Sequence, residues 1–327
     1  MDLRKITDFL GKDWLDTESA IRAALGSDID LLNSTNDAIL EHLGKQLRPI
    51  LALLIARACS GGHTTEDTID FAAASELLHN ATLLHDDVAD NSSERRGMPT
   101  VMSILGGQAS VLLGDFWLVK AMEMILDASN NGNAVIRIFA RTLSDLATGE
   151  MLQLQKASSG DTEENDYLRI IYDKTASLFV ATAVSASISV GAPDDFKAAV
   201  KEYATDLGLA FQIKDDIMDY MGSEMMGKPV GKDLGEQKMT LPLLGALKKV
   251  PAEKAEEIRR KVCEIADNPA YVTEVRQFVL ENDGIRYANE RLASFVDKGL
   301  VALAVLPDSK EKEYLMELTS FVAERNL

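Results

Sequence analysis

Two short acidic segments carry the chemistry of this chain. Asp86-Asp87-Val88-Ala89-Asp90 and Asp215-Asp216-Ile217-Met218-Asp219 both read DDxxD, and each follows an apolar run, Glu76 to Leu84 and Tyr203 to Ile213. On a helix, Asp86 and Asp90 lie one turn apart on one face, as do Asp215 and Asp219. Like charges at that spacing repel, and aspartate is a poor helix former. A chain that accepts this twice has a cation to hold. Hard divalent ions such as Mg2+ take one or two carboxylates and complete their shell with water and phosphate oxygens. Two such clusters facing one another would make a Mg2+–diphosphate site. One DDxxD alone would read as a solvated acidic patch; the repetition and the neighbouring cations weigh against that.

Those cations recur in short groups. Arg95-Arg96-Gly97 follows Asp90 by five residues, and arginine suits bidentate phosphate recognition. His79 lies two helical turns before Asp86 on nearly the same face. Lys45 and Arg48, within Gly44-Lys45-Gln46-Leu47-Arg48-Pro49, stand at a helix start, where backbone amides and two cations would receive an anion. Further along come Lys174-Thr175, Phe211-Gln212, the loop Gly227-Lys228-Pro229-Val230-Gly231-Lys232-Asp233, and Lys238. Each group alone has a plain structural explanation: surface ion pairing, a core histidine, a basic cap, a flexible loop.

These side chains need helices to position them. Apolar residues recur with a 3.6-residue period, alternating runs are scarce, and aromatic content is 6%. The periodicity predicts helices over 15–42, 47–59, 66–89, 100–128, 134–156, 164–190, 195–220, 241–248, 252–266, 271–280, 284–304 and 309–325. That is an all-α chain. With short connections and no linker, 1–327 is expected to form one domain, a single large helical bundle. Thr175 to Pro193 is uncharged and of spanning length, but its serines, threonines and alanines predict a buried central helix rather than a transmembrane one.

The net charge of −18 argues against nucleic acid and against tight adsorption to anionic lipid. It leaves an anionic substrate open, because local cations dominate a pocket. Cys59 and Cys263 have no metal spacing and fit a reducing compartment. With no signal-peptide run at the start, a cytoplasmic protein is expected.

Taken in order, LGKQLRP, ELLHNATLLHDDVADNSSERRG, DKTA, FQIKDDIMDY and GKPVGKDLGEQKMTLPLL resemble the trans-isoprenyl diphosphate synthases, or polyprenyl synthetases, especially their long-chain branch. The likeness covers most of the chain and weakens after about Lys248. It implies the helical isoprenoid synthase fold with a central cavity. It also implies Mg2+-dependent head-to-tail condensation of isopentenyl diphosphate onto an allylic diphosphate such as farnesyl diphosphate. By the resemblance, Asp86, Asp87, Asp90, Asp215, Asp216 and Asp219 hold Mg2+, three ions with bound diphosphate. Arg95, Lys174, Thr175, Gln212 and Lys228 grip the allylic diphosphate, and Lys238 is a further substrate-binding residue. Lys45, Arg48, His79 and Arg96 receive isopentenyl diphosphate. Gln46 stands where the family carries a further cation. The catalytic set is then Asp86, Asp90, Lys174, Thr175, Gln212 and Asp215, with the departing diphosphate as base.

In this family an aromatic residue five before the first motif closes the chain-length tunnel. That position is Ala81, next to Thr82, and neither is bulky. With Leu78 in the wall and about 5.4 Å per helical turn, a product of about seven to eleven isoprene units is expected. The resemblance also implies a homodimer, product release with transient membrane-surface contact, and a quinone side chain as one use of the product. The alternatives are a short-chain farnesyl or geranylgeranyl diphosphate synthase, a class I terpene cyclase, a non-catalytic partner subunit, or a structural acidic protein. A cyclase normally mixes Asn, Ser and Glu in its second motif, and a non-catalytic subunit loses aspartates; here all six are present.

Overall fold

The structure is a computed structural model that describes residues 2–222 and 231–324. Apart from one small hairpin, its described secondary structure is helical. The helices are α1 (Leu3–Leu10), α2 (Lys12–Ala24), α3 (Asp30–Leu40), α4 (Leu47–Ser60), α5 (Glu66–Ala89), α6 (Val101–Leu105), α7 (Gly107–Asp127), α8 (Gly132–Ser159), α9 (Glu164–Ile171), α10 (Ser177–Ser189), α11 (Asp194–Met221), α12 (Lys232–Gly235), α13 (Leu241–Leu247), α14 (Ala252–Cys263), α15 (Tyr271–Glu281), α16 (Gly284–Leu303) and α17 (Lys310–Glu324). Strands β1 (Glu94–Arg95) and β2 (Met98–Pro99) pair antiparallel between α5 and α6. The chain divides into two compact units. One holds residues 1–140, 181–200 and 305–315; the other holds 141–180, 201–304 and 316–327.

In the first unit, α5 is the central member. Phe71, Ala72, Ala73, Ala74, Leu77 and Leu78 are all fully buried, with Ser75 and Glu76 buried between them, so the helix is enclosed around its circumference there. Thr65 and Thr68 form a capping box at its start, and Thr68 also shares a 2.6 Å hydrogen bond with Ser189 of α10. α7 packs closely against α5: a side chain on Gly114 would collide with the His85 ring, and Ser110 donates to the Leu84 carbonyl. Trp117 donates to Asn36, whose amide donates to the Leu25 carbonyl, joining α7, α3 and the end of α2.

Asp67 is a buried carboxylate with a structural task. It accepts from the backbone amides of Ser129, Asn130 and Asn131 and from the Asn131 side chain, at 3.0–3.3 Å. It thereby fixes the turn into α8. Asp67→Ala strands several buried donors and is expected to destabilise the protein by about 2–4 kcal/mol, read as a fall in the calorimetric midpoint.

In the second unit, α13 is wholly buried and lies against α16, where Gly245 meets the Tyr287 ring with no room for a side chain. Glu164, at the start of α9, gathers Lys248, Tyr287 and Arg291. Arg276 of α15 donates to the carbonyls of Tyr220 and Gly222, closing the end of α11 just past the second acidic motif.

Several boundaries differ from the periodicity. The run 15–42 breaks at 25–29, where the Asn33 side chain bonds Ser27 in both directions. The run 100–128 breaks at Gly106, whose φ of +88° suits glycine. The run 164–190 is interrupted by a π-turn, Tyr172–Ala176. Helix α1 and the hairpin had no periodic signal strong enough to mark them. Thr175 to Pro193 is occupied mainly by α10, buried as expected from its small residues. Among the described residues, no helix is long and apolar enough to cross a membrane.

Candidate active site

The first acidic motif ends α5, and the second lies in the last two turns of α11. Neither helix has a basic residue in its last turn. A helix C-terminus carries negative partial charge, so carboxylates there are disfavoured until a cation arrives. The two motifs also divide their labour alike. Asp86 and Asp215, the first of each pair, are partly exposed; Asp87 and Asp216, a hundred degrees round the helix, are buried.

In the first unit, Asp87 accepts a 2.8 Å ion-paired hydrogen bond from Arg95 Nε. Arg95 and Arg96 sit on the hairpin, whose two-residue turn is Arg96-Gly97, both at positive φ. That is the primed turn that two-residue hairpins favour, and it explains the glycine after the arginine pair. Arg96 Nη1 donates to the carbonyls of His42 and Leu43, and its guanidinium lies over Gly44, where a Cβ would come within 2.7 Å. This brings the hairpin beside the Lys45–Arg48 segment. Lys45 is exposed ahead of α4, and Arg48 is buried in its first turn.

Burial lowers the Arg48 pKa to about 10, opposed by the Glu76 charge and assisted by Arg96. Burial raises that of Glu76, opposed first by Arg48. His79 is pushed well below the usual imidazole range by burial, then by Arg48, Arg96 and Arg95, and is therefore neutral near pH 7. His79, Arg48, Arg95 and Arg96 thus form one electrostatic cluster. Glu76 and Asn80, whose amide donates to Glu76 at 3.1 Å, are the members the sequence reading missed. Their spacing of three and four residues from His79 and Glu76 respectively was the available signal.

In the second unit, the π-turn carries Lys174 and Thr175. It is accommodated by two glycines: a Cβ on Gly149 of α8 would lie 2.7 Å from Asp173 Cβ, and one on Gly208 of α11 would lie 2.6 Å from Ala176 Cα. Lys174 donates to Gln153 at 3.0 Å and pairs with Glu150. Thr175 Oγ1 donates to Gln212 Oε1 at 2.8 Å, and Gln212 Nε2 donates to Asp216 Oδ1 at 2.8 Å. Asp219 accepts from the backbone amides of Lys232 and Asp233, anchoring α12. A cavity of about 120 Å³ is lined by Lys174, Thr175, Gln212, Asp216, Asp233 and Lys238 among others. Lys238 pairs with Glu236. Lys228 lies outside the described residues.

The cavity is lined by the carboxyl groups of Asp216, which is buried, and of Asp233. Burial, then the charge of Asp233, raises Asp216 well above the usual carboxylate range, and burial, then Asp219, pushes Asp233 up to about 6. Asp233 and Tyr167, which donates to Asp216, escaped the sequence reading because both act through tertiary contact. Carboxylate oxygens, present at the end of each of these helices, are the ligand type a hard divalent cation takes. Among the described residues, no three His, Cys, Asp or Glu side chains converge into a cage, and Mg2+ shared with a diphosphate asks for only one or two carboxylates per ion.

The fold is helical, and each acidic motif has basic side chains among its neighbours in its own unit. The chain's lineage follows from comparison with known proteins. Residues 29–279 match the polyprenyl synthetase family. The chain is 36% identical to octaprenyl diphosphate synthase of Escherichia coli over the full length of both proteins. It shares 31% identity and a TM-score of 0.90 with the crystal structure of a decaprenyl diphosphate synthase from Rhodobacter capsulatus, covering 99% of each chain. It shares 33% identity and a TM-score of 0.90 with a Caulobacter crescentus polyprenyl synthase complexed with calcium and isoprenyl diphosphate, covering 99% of this chain and 98% of that one. The chain belongs to the polyprenyl synthetase family, has the helical isoprenoid synthase fold, and is a prenyltransferase.

Proposed function

We propose that this protein is a long-chain all-trans polyprenyl diphosphate synthase that condenses isopentenyl diphosphate onto an allylic diphosphate, farnesyl diphosphate being the expected primer. The observation that carries the reading is the repeated carboxylate set at two helix C-termini, each accompanied in its own unit by a cluster of basic side chains. The relatives named for octaprenyl and decaprenyl products support the long chain.

The divalent ion is Mg2+ in this reading, three ions with bound diphosphate. The calcium and isoprenyl diphosphate of the Caulobacter structure are consistent with such a set. Asp86, Asp87, Asp90, Asp215, Asp216 and Asp219 would hold it, with Arg95 fixing Asp87, Gln212 fixing Asp216 and backbone amides fixing Asp219. When bound, the metal neutralises charge developing on the leaving diphosphate. Arg95, Lys174, Lys228 and Lys238 grip the same diphosphate. Lys45, Arg48 and Arg96 hold isopentenyl diphosphate, and neutral His79 donates a hydrogen bond to it. The allylic C–O bond breaks with its electron pair leaving on diphosphate. The double bond of isopentenyl diphosphate attacks the allylic cation, and the new adduct loses a proton to the departed diphosphate. Gln212 and Thr175 direct their dipoles at the cation.

Ala81 tests the chain-length argument. It and Leu78 are buried on α5, while Thr82 is partly exposed and donates to the His79 carbonyl. Ala81→Phe places a bulky ring one turn and more below the first motif, and products of about three or four isoprene units are expected by chromatography of the dephosphorylated lipids. An unchanged product ladder would put the floor elsewhere.

The homodimer is proposed from α7. Leu112, Val119 and Leu126 recur every seven residues and are 61%, 53% and 55% exposed. An apolar seam of that period suits the same helix of a second copy. Leu112→Glu combined with Val119→Glu is expected to give monomers in sedimentation velocity, where the parent sediments as a dimer.

A further inference from the structure

We propose that Tyr167 is a positioning residue for the condensation, its hydroxyl acting through Asp216 to set Gln212 and Thr175 beside the allylic carbon. The proposal rests on the function given above.

Tyr167 lies on α9, two helical turns before Lys174, with its ring buried. Its hydroxyl donates to Asp216 Oδ2 at 2.6 Å, while Asp216 Oδ1 accepts from Gln212 Nε2 at 2.8 Å. Gln212 Oε1 in turn accepts from Thr175 Oγ1 at 2.8 Å. Direction is enforced along the whole chain. Tyr167 and Gln212 both donate to Asp216, so Gln212 turns its amide nitrogen toward Asp216 and its oxygen toward Thr175. The Thr175 proton is thereby committed to Gln212, which leaves the hydroxyl lone pairs for other neighbours. Oxygen lone pairs are the polarity a developing carbocation requires; an amide N–H₂ in the same place would oppose it.

Asp216 is buried and bonded to side chains on both oxygens, so its orientation is set by its two donors. Gln212 belongs to the same helix, one turn away, and cannot fix Asp216 against the rest of the unit. Tyr167 supplies that fixed point from a separate helix, α9. Loss of its hydroxyl leaves Asp216 free to turn or to exchange partners, and Gln212 free to flip.

Tyr167→Phe removes one oxygen and keeps the ring. In steady-state elongation with saturating Mg2+, kcat is expected to fall about tenfold or more, since misdirected dipoles act on the chemical step. The KM for isopentenyl diphosphate is expected to stay within about twofold, because its binding residues are not in the chain. In a Gln212→Ala background, Tyr167→Phe is expected to cost nothing further, because the two act in one chain. A full, additive loss in that background, or an unchanged kcat in the single variant, would overturn the relay while leaving the function intact. A parent enzyme that fails to elongate would overturn both. If Tyr167→Phe does not fold, a trifluorotyrosine at position 167 keeps the packing and alters only the strength of the donor. A changed kcat supports the relay, and an unchanged one overturns it.

Discussion

Asp86→Asn is expected to lower kcat/KM for elongation by on the order of 10³-fold, and Asp215→Asn by a similar factor. Each removes one negative charge from a partly exposed position at the end of a helix and leaves the shape of the side chain almost unchanged. The size of the effect follows from where charge develops: the barrier is the anion appearing on the leaving diphosphate, which its counter-cation must offset. The same variants should be slightly more stable than the parent without metal. Carboxylates crowded at a helix C-terminus oppose both the helix dipole and one another, and relieving one is worth about 0.3–1 kcal/mol. The activity loss distinguishes a cation site from a structural acidic cluster, for which activity would be nearly unchanged while the stability gain would be the same. Elongation kinetics and calorimetry without Mg2+ check the pair of outcomes.

Gly208→Ala is the second change with a large expected effect. A Cβ there would lie 2.6 Å from Ala176 Cα and 2.7 Å from Ala176 Cβ, and a backbone atom in a buried π-turn cannot move aside cheaply. Overpacking of this kind costs about 1–3 kcal/mol. The displacement falls on the turn that carries Lys174 and Thr175, so an activity loss of about 10²-fold is expected beyond the loss of stability. Gly235→Ala, where a Cβ would meet nothing within 4 Å, serves as the control. Equal behaviour of the two variants in kcat would show that the π-turn does not position the chemistry.

Much of this arrangement was legible in the sequence. The periodicity placed α5 and α11, and with them both acidic motifs, because long amphipathic or wholly buried helices carry their own signal. His79 and Arg48 were legible through helical spacing and helix-start chemistry. The π-turn was not, because its cause lies in Gly149 and Gly208, remote in sequence from Lys174. The hairpin was hidden by its brevity, although Arg96-Gly97 fits its turn. Glu76, Tyr167 and Asp233 were hidden because a buried polar side chain is defined by its partner. Tyr167 did carry one clue, a spacing of two helical turns from Lys174.

The most direct test of the central claim is elongation itself. The purified protein is incubated with Mg2+, farnesyl diphosphate and labelled isopentenyl diphosphate, and the dephosphorylated products are resolved by length. The account predicts a Mg2+-dependent ladder ending at about seven or more isoprene units, set by the depth left open along α5. Absence of any elongation by protein with Asp86 and Asp215 intact would contradict it.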